Sequence, residues 1–124
     1  MKISGQIEFT ITEQTPDAVT SVMPVQPGIL NPFGTVHAGA TLWFADVTAT
    51  ALVLAGVKAE ENMQGFPLAI NLNANLAGNS KSGTFIAHAV YVKKGRSVSI
   101  VRTTVTTEDG KLIADVTTSH VPSR

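Results

Sequence analysis

From Ala40 to Val57 the chain reads ATLWFADVTATALVLAGV, with a single charge, Asp46, in an otherwise apolar or small run. A helix that meets water on one flank carries a polar stripe there; this run has none, so it predicts a helix buried on nearly every side. Pro27-Gly28 and the tetrad Asn31-Pro32-Phe33-Gly34 are turn chemistry, which places the helix start close to His37 or Ala38. Gly56 is the expected stop, followed by KAEENMQG as a polar, exposed connector. Thr50 follows Asp46 by one turn on the same face.

Around this helix the periodicity changes from helical to two-fold. Residues 3–12 alternate Ile7, Phe9 and Ile11 with polar neighbours, as a half-buried strand does, and residues 17–25 form a second extended run between Pro16 and Pro27. After Pro67, LAINLNANLAG sets Leu68, Ile70, Leu72, Ala74 and Leu76 on one face and Asn71, Asn73 and Asn75 on the other. The asparagine face suits either solvent or a polar interface, because asparagine is a poor strand former. TFIAHAVYVKKG, RSVSIVRTTVTT and, beyond the hairpin signal Asp109-Gly110, KLIADVTTSHV predict three antiparallel strands joined by tight turns. The order is then two strands, one long helix and a four-stranded meander. One helix covers a sheet of about six strands only if the sheet curls around it, so the expected fold class is α+β, a central helix wrapped by a curved antiparallel sheet. At 124 residues the whole chain, 1–124, is expected to be one domain.

Composition narrows the partners. Nine basic against nine acidic residues give no net charge, which argues against nucleic acid or an anionic membrane as a general partner. With 44% hydrophobic and only 15% charged residues, the surface is short of charge, so a homo-oligomer is expected. The lack of cysteine excludes disulfides, thiol catalysis and thiolate metal sites, and fits a cytoplasmic location. The N-terminal MKISGQIEFT has no apolar signal block and reads as mature protein. Asp46, the threonines and the lack of basic flanks favour a buried helix over a membrane span for residues 40–57. His88 and His120 lie in strands with no second histidine or carboxylate at ligand spacing, so no metal is expected. There is no GxGxxG, GxxxxGK or GxSxG motif.

The candidate chemistry centres on Asp46. An ionised carboxylate in an apolar helix costs several kcal/mol, roughly, unless it is paired or its pKa rises. A helix N-terminus offers free amides, here of Ala38 and Gly39, for an oxyanion, and Asp46, about two turns on, has the chemistry of a general base or nucleophile. Together they suit acyl transfer. Each residue also has a structural reading: Asn31 as a turn former before Pro32, His37 as a cap, Asp46 as the partner of Arg96 or Arg102, and Thr50 bonded back to its own helix. The cluster Lys93-Lys94-Gly95-Arg96 is either a solvated hairpin or a phosphate site.

The run Asn31, Gly34, His37, Gly39, Asp46 resembles the signature of hotdog-fold acyl-CoA thioesterases of the phenylacetate-degradation type. AINLNANLAG and KKGRSV look like the strand after the helix and the later strand-turn-strand of that family, so the likeness spans roughly residues 28–120. It implies a hotdog fold, a dimer or tetramer with active sites between subunits, and hydrolysis of an acyl-CoA without a cofactor beyond the substrate's own coenzyme A. The same resemblance implies Asp46 as base or nucleophile, Asn31 positioning thioester or water, the Ala38 amide binding the oxyanion, His37 holding the turn and Thr50 supplying a hydroxyl. Lys93, Lys94 and Arg96 are then candidates for the coenzyme A phosphates, and Phe33 and Asn71 for substrate contacts. Trp43, Phe44, Phe66 and Leu68 are expected to shape the acyl pocket. Two positions depart from the pattern. The usual His-Gly-Gly is His37-Ala38-Gly39, and Ala69 stands where many relatives carry a hydroxyl, a role open to Thr50 or Asn71. Ala69 favours the alternative of a non-catalytic acyl-CoA-binding or lipid-binding domain; Asp46 opposes it.

Overall fold

A computed structural model describes residues 1–55 and 67–122. Its strands are β1 (Thr10–Gln14), β2 (Ala18–Pro24), β3 (Pro67–Leu76), β4 (Thr84–Lys93), β5 (Ser99–Thr107) and β6 (Leu112–Pro122), with one α-helix, α1 (Ala38–Val53), and a 3-10 turn at Pro27–Ile29. The strands form one antiparallel sheet in the order β1-β2-β4-β5-β6-β3, and α1 contacts all six. Alternate side chains of the central strands point at the helix. Val19 and Met23, Phe85, Ala87 and Ala89, Val101 and Val105, and Ala114 and Val116 are buried against Phe44, Ala45, Ala49 and Leu52 of α1. This is the hotdog arrangement, and it follows from the two periods in the sequence: period two supplies a half-apolar sheet, and an apolar helix fills its concave side.

Four expectations change. The first strand, expected over 3–12, lies at 10–14. The Gln26 side chain holds the backbone of Glu8 instead, accepting from its N–H at 2.8 Å and donating to its carbonyl at 2.8 Å, so no ladder forms there. Ile7 and Phe9 still pack on the core.

The last four strands are not a meander. β3 pairs with β6 rather than β4, because β2 already occupies the free edge of β4. Residues 77–83 therefore cross from one side of the sheet to the other, tied at one end by the Ala77 amide on the Ile113 carbonyl and at the other by the Val25 amide on the Gly83 carbonyl.

The faces of β3 are not those of simple alternation. Ala69 pairs with His120 and Asn71 with Ser119, leaving Ile70 as an extra residue; such a bulge reverses the phase of everything beyond it. Leu72, Ala74 and Leu76 face the helix with Thr118, Val116 and Ala114, but so does Ala69, opposite His120, while Leu68 pairs with Val121 on the outer face.

Finally, α1 is not covered all round. Ala38 and Gly39 are exposed, and Trp43 is 56% exposed. The expected stop at Gly56, the connector 58–65 and Phe66 lie outside the described residues.

Candidate functional site

The start of α1 is held by three hydrogen bonds, from two residues. The Asn79 side chain accepts from the Val36 amide at 3.1 Å and donates to its carbonyl at 2.8 Å, while the His37 amide donates to Ile29 O at 2.8 Å. His37 is the N-cap, with extended backbone, and its Nδ1 accepts from the Gly39 amide at 3.0 Å. That bond places the ring proton on Nε2 and occupies the Gly39 amide. The Ala38 amide has no acceptor among the described residues and lies at the exposed end of the helix. Of the two amides considered as oxyanion donors, Ala38 is the free one.

Asn31 is committed to the preceding turn. Its Oδ1 accepts from the amides of Phe33 (2.9 Å) and Thr35 (3.2 Å), and its Nδ2 donates to Thr35 Oγ1 at 2.8 Å. Phe33, on that turn, is 82% exposed. A cavity of about 300 Å³ opens beside the helix start, between the N-terminal segment at Ile7, Leu30, His37, Gly39 and Trp43.

Asp46 is half-buried, and its Oδ1 is buried without a hydrogen-bond partner. The arginines considered for it do not supply one. Arg102 forms a two-pronged bond to Asp115, 2.9 and 2.8 Å, on the outer face, which holds that carboxyl below its usual range; among the described residues this is the only ion pair. Thr50 forms no side-chain hydrogen bond among the described residues. Thr48 is the threonine bonded back to its helix, at 2.7 Å from Phe44 O and 3.0 Å from Ser21 Oγ. Eight residues separate Ala38 from Asp46, about 12 Å along the axis at 1.5 Å per residue, too far for both to meet one carbonyl group. Within one chain the structure does not bring them together.

A residue the sequence reading set aside stands near Asp46. His120 is 1% exposed on the inner face of β6; its Nε2 lies 2.8 Å from Thr118 Oγ1 and its Nδ1 is buried without a partner. Burial pushes its pKa down, and the negative charge of Asp46 opposes that shift. The signal was its phase: counting by twos from Ala114 through Val116 and Thr118 lands on His120, a titratable group in the apolar register.

At the end of β4, Lys94 lies with Nζ 5.5 Å from the Tyr91 ring centroid. Lys94 and Arg96 line a second cavity, of about 220 Å³, together with Val53, Tyr91, Ser99 and His120. Gly95 permits the tight approach of this loop, since a Cβ there would fall 2.0 Å from Val98 O. Lys93 is exposed and does not line the cavity. Asn71 is exposed on the outer face, away from Asp46 of its own chain. Phe44 is fully buried core rather than cavity wall. Among the described residues no three His, Cys, Asp or Glu side chains come together as a metal-binding group, and no helix is long and apolar enough to cross a membrane.

With this geometry in hand, comparison with known proteins adds the following. The family model described as "Thioesterase superfamily" matches residues 33–114. A Bacillus subtilis (strain 168) protein provisionally named as the esterase ComA2 is 29% identical over 103 residues, covering 83% of this chain and 79% of that one. A mutant thioesterase from Staphylococcus aureus superposes with a TM-score of 0.84 at 22% identity, over 95% of each chain. A Streptococcus mutans protein whose crystal structure contains acetyl CoA superposes with a TM-score of 0.82 at 18% identity, over 94% of this chain and 89% of that one.

Proposed function

The chain belongs to the thioesterase superfamily, and from that membership we propose that it hydrolyses acyl-coenzyme A thioesters, of the phenylacetate-degradation type, to the free acid and coenzyme A. The observation that carries this reading is Asp46: a carboxylate in an apolar helix, with a buried oxygen that nothing among the described residues satisfies. An unpaired buried carboxylate is poorly explained by stability and well explained by a reacting partner.

Asp46 is the general base. It takes a proton from water as the water oxygen bonds to the thioester carbonyl carbon. The carbonyl oxygen, now an oxyanion, accepts from the free Ala38 amide at the positive end of α1. As the tetrahedral species collapses, the C–S bond breaks and the coenzyme A thiolate takes up the proton. His37 holds the Ala38 amide by capping the turn, Asn31 shapes the loop before it, and Thr50, one turn from Asp46, has a hydroxyl free to hold water. Ala38 in place of the usual glycine keeps the amide donor.

The 12 Å or so between Ala38 and Asp46 supports a site built from two chains, the amide of one meeting the acid of the other. β3 supports the same assembly. It is an edge strand of ten residues, none of them buried, with Leu68, Ile70, Leu72 and Leu76 between 40% and 61% exposed; a long apolar edge is a template for pairing with another chain. We therefore read the protein as a homo-oligomer in which β3 strands meet. The acetyl CoA in the Streptococcus mutans relative supports the substrate class, and Lys93, Lys94 and Arg96 are the cations for its phosphates.

The test is release of free coenzyme A from aryl, short, medium and long acyl thioesters, wild type beside Asp46→Asn. Turnover of at least one thioester is expected, falling by at least about a hundredfold in the folded variant, the range for loss of a general base. No turnover of any, or full activity of the variant, rejects the mechanism. Single turnover in heavy-oxygen water separates base from nucleophile, because only a nucleophilic Asp46 acquires the label.

A further inference from the structure

We propose that His120 is a positioning residue for Asp46: its Nδ1–H donates to Asp46 Oδ1 in the working enzyme, fixing the carboxylate with its other oxygen toward water. This rests on the thioesterase reading for its purpose, though not for its physical content. Among the described residues three buried side-chain polar atoms lack partners, Asp46 Oδ1, His120 Nδ1 and Thr103 Oγ1; the first is an acceptor, the second can donate, and Thr103 stands further along the ladder from His120, opposite Val116.

The fold places them on converging elements. Asp46, Thr50 and Val53 form one stripe of α1 at i, i+4 and i+7, and Val53 lines the same cavity as His120. On β6 the imidazole points inward between two small neighbours, Ser99 of β5 and Ala69 of β3. The bulge at Ile70 is what turns Ala69 to this face, so the smallness of Ala69 leaves room for the ring. The hydrogen-bond chain closes with one assignment. If Thr118 O–H donates to Nε2, the neutral ring carries its proton on Nδ1, the buried nitrogen without a partner. Burial keeps the ring neutral, and the charge of Asp46 already acts on it. The two atoms are not bonded in the free chain; such catalytic contacts tighten when substrate closes the site. Among the described residues the other charged or titratable groups around the ring are Tyr91 of β4 and Lys94 and Arg96 of the following loop, which share its cavity; β3 and β5 face it with Ala69 and Ser99.

The experiment has two arms. Without substrate, the imidazole of His120 is titrated by NMR in wild type and in Asp46→Asn. Because the carboxylate favours the protonated ring, its removal is expected to lower the His120 pKa further; an unchanged pKa overturns the proposal whether or not the protein is a thioesterase. With substrate, His120→Phe is expected to lower kcat at least tenfold with KM nearly unchanged, and His120→Asn, whose amide occupies the place of Nδ1–H, to recover most of the loss. His120→Phe that folds and keeps wild-type kcat, or failure of His120→Asn to recover any activity while folded, overturns it.

Discussion

β6 is flanked by two strands of nearly equal length that could hardly differ more. In β5, Ser99, Val101, Thr103 and Val105 are buried while Ile100, Arg102, Thr104 and Thr106 are not, and the outward Arg102 finds Asp115 across the ladder. In β3 no residue is buried, although more than half of the strand is apolar. The inward side of the first strand is covered within its own chain, although the Thr103 hydroxyl is buried there without a hydrogen-bond partner. The second lacks one wall, and so does the helix beside it, where Trp43 is exposed and the oxygen of Asp46 lacks a partner. What the chain leaves unfinished is concentrated on the side where the chemistry is expected.

The largest effect should come from placing the same charge on each strand. Val105→Asp puts a carboxylate into the closed core, at a cost of roughly 4 kcal/mol or more; thermal denaturation should find little folded protein. Leu72→Asp on β3 should leave the chain folded but dissociated, as read by circular dichroism and sedimentation. Equal unfolding by both would erase the distinction between the strands.

Next in size is the catalytic result of losing the proposed second chain. Turnover by Leu72→Asp should fall by about a hundredfold or more, as when an oxyanion donor is removed, since the Ala38 amide and Asp46 would no longer meet. Val92→Glu, on a more exposed residue of β4, should keep both assembly and rate. A monomeric variant with wild-type turnover would show that one chain holds the whole site.

This contrast also marks what could be read without a structure. The helix start was legible because His37 and the turn before it are local signals, and Asp46 was legible because a lone charge in an apolar run is visible in one dimension. Strands β4 to β6 were legible from period two. The position of β3 was not, because nothing local distinguishes pairing with β4 from pairing with β6. The bulge at Ile70 was equally hidden, and with it the facing of Ala69 and the separation of Leu68 from Leu72. His120 was missed because its neighbour Asp46 is distant in sequence and adjacent only after the sheet closes on the helix. Asn79, which clamps Val36, lies just past the predicted strand LAINLNANLAG, where no local pattern singled it out.

The substrate's far end gives a smaller effect. Replacing Lys93, Lys94 and Arg96 together by alanine should raise KM for the coenzyme A thioester about tenfold, the equivalent of about 1.4 kcal/mol, and spare an acyl thioester without the nucleotide. Equal effects on both would remove these cations from phosphate binding. His37→Ala should cost about 1 kcal/mol through loss of the cap, seen in chemical denaturation, and lower kcat by loosening the Ala38 amide.

The smallest effect is a dependence of stability on pH, and it arises where the two strands meet, since His120 stands between Ser99 and Ala69. Burial lowers the His120 pKa in the folded chain, whereas the unfolded chain titrates near the ordinary value of about 6.5. Above that value both forms are neutral and nothing is lost. As pH falls through it the unfolded chain binds a proton that the folded chain resists, so stability declines down to the folded pKa, with the slope of at most one proton. Melting temperatures between pH 8 and pH 5 should therefore fall more in wild type than in His120→Asn, which cannot titrate. In Asp46→Asn the decline should reach further into acid, because the carboxylate that eased protonation is gone. Parallel curves for wild type and His120→Asn would mean that the ring is protonated as easily in the folded chain as in water, and that the closed side of the sheet does not enclose it.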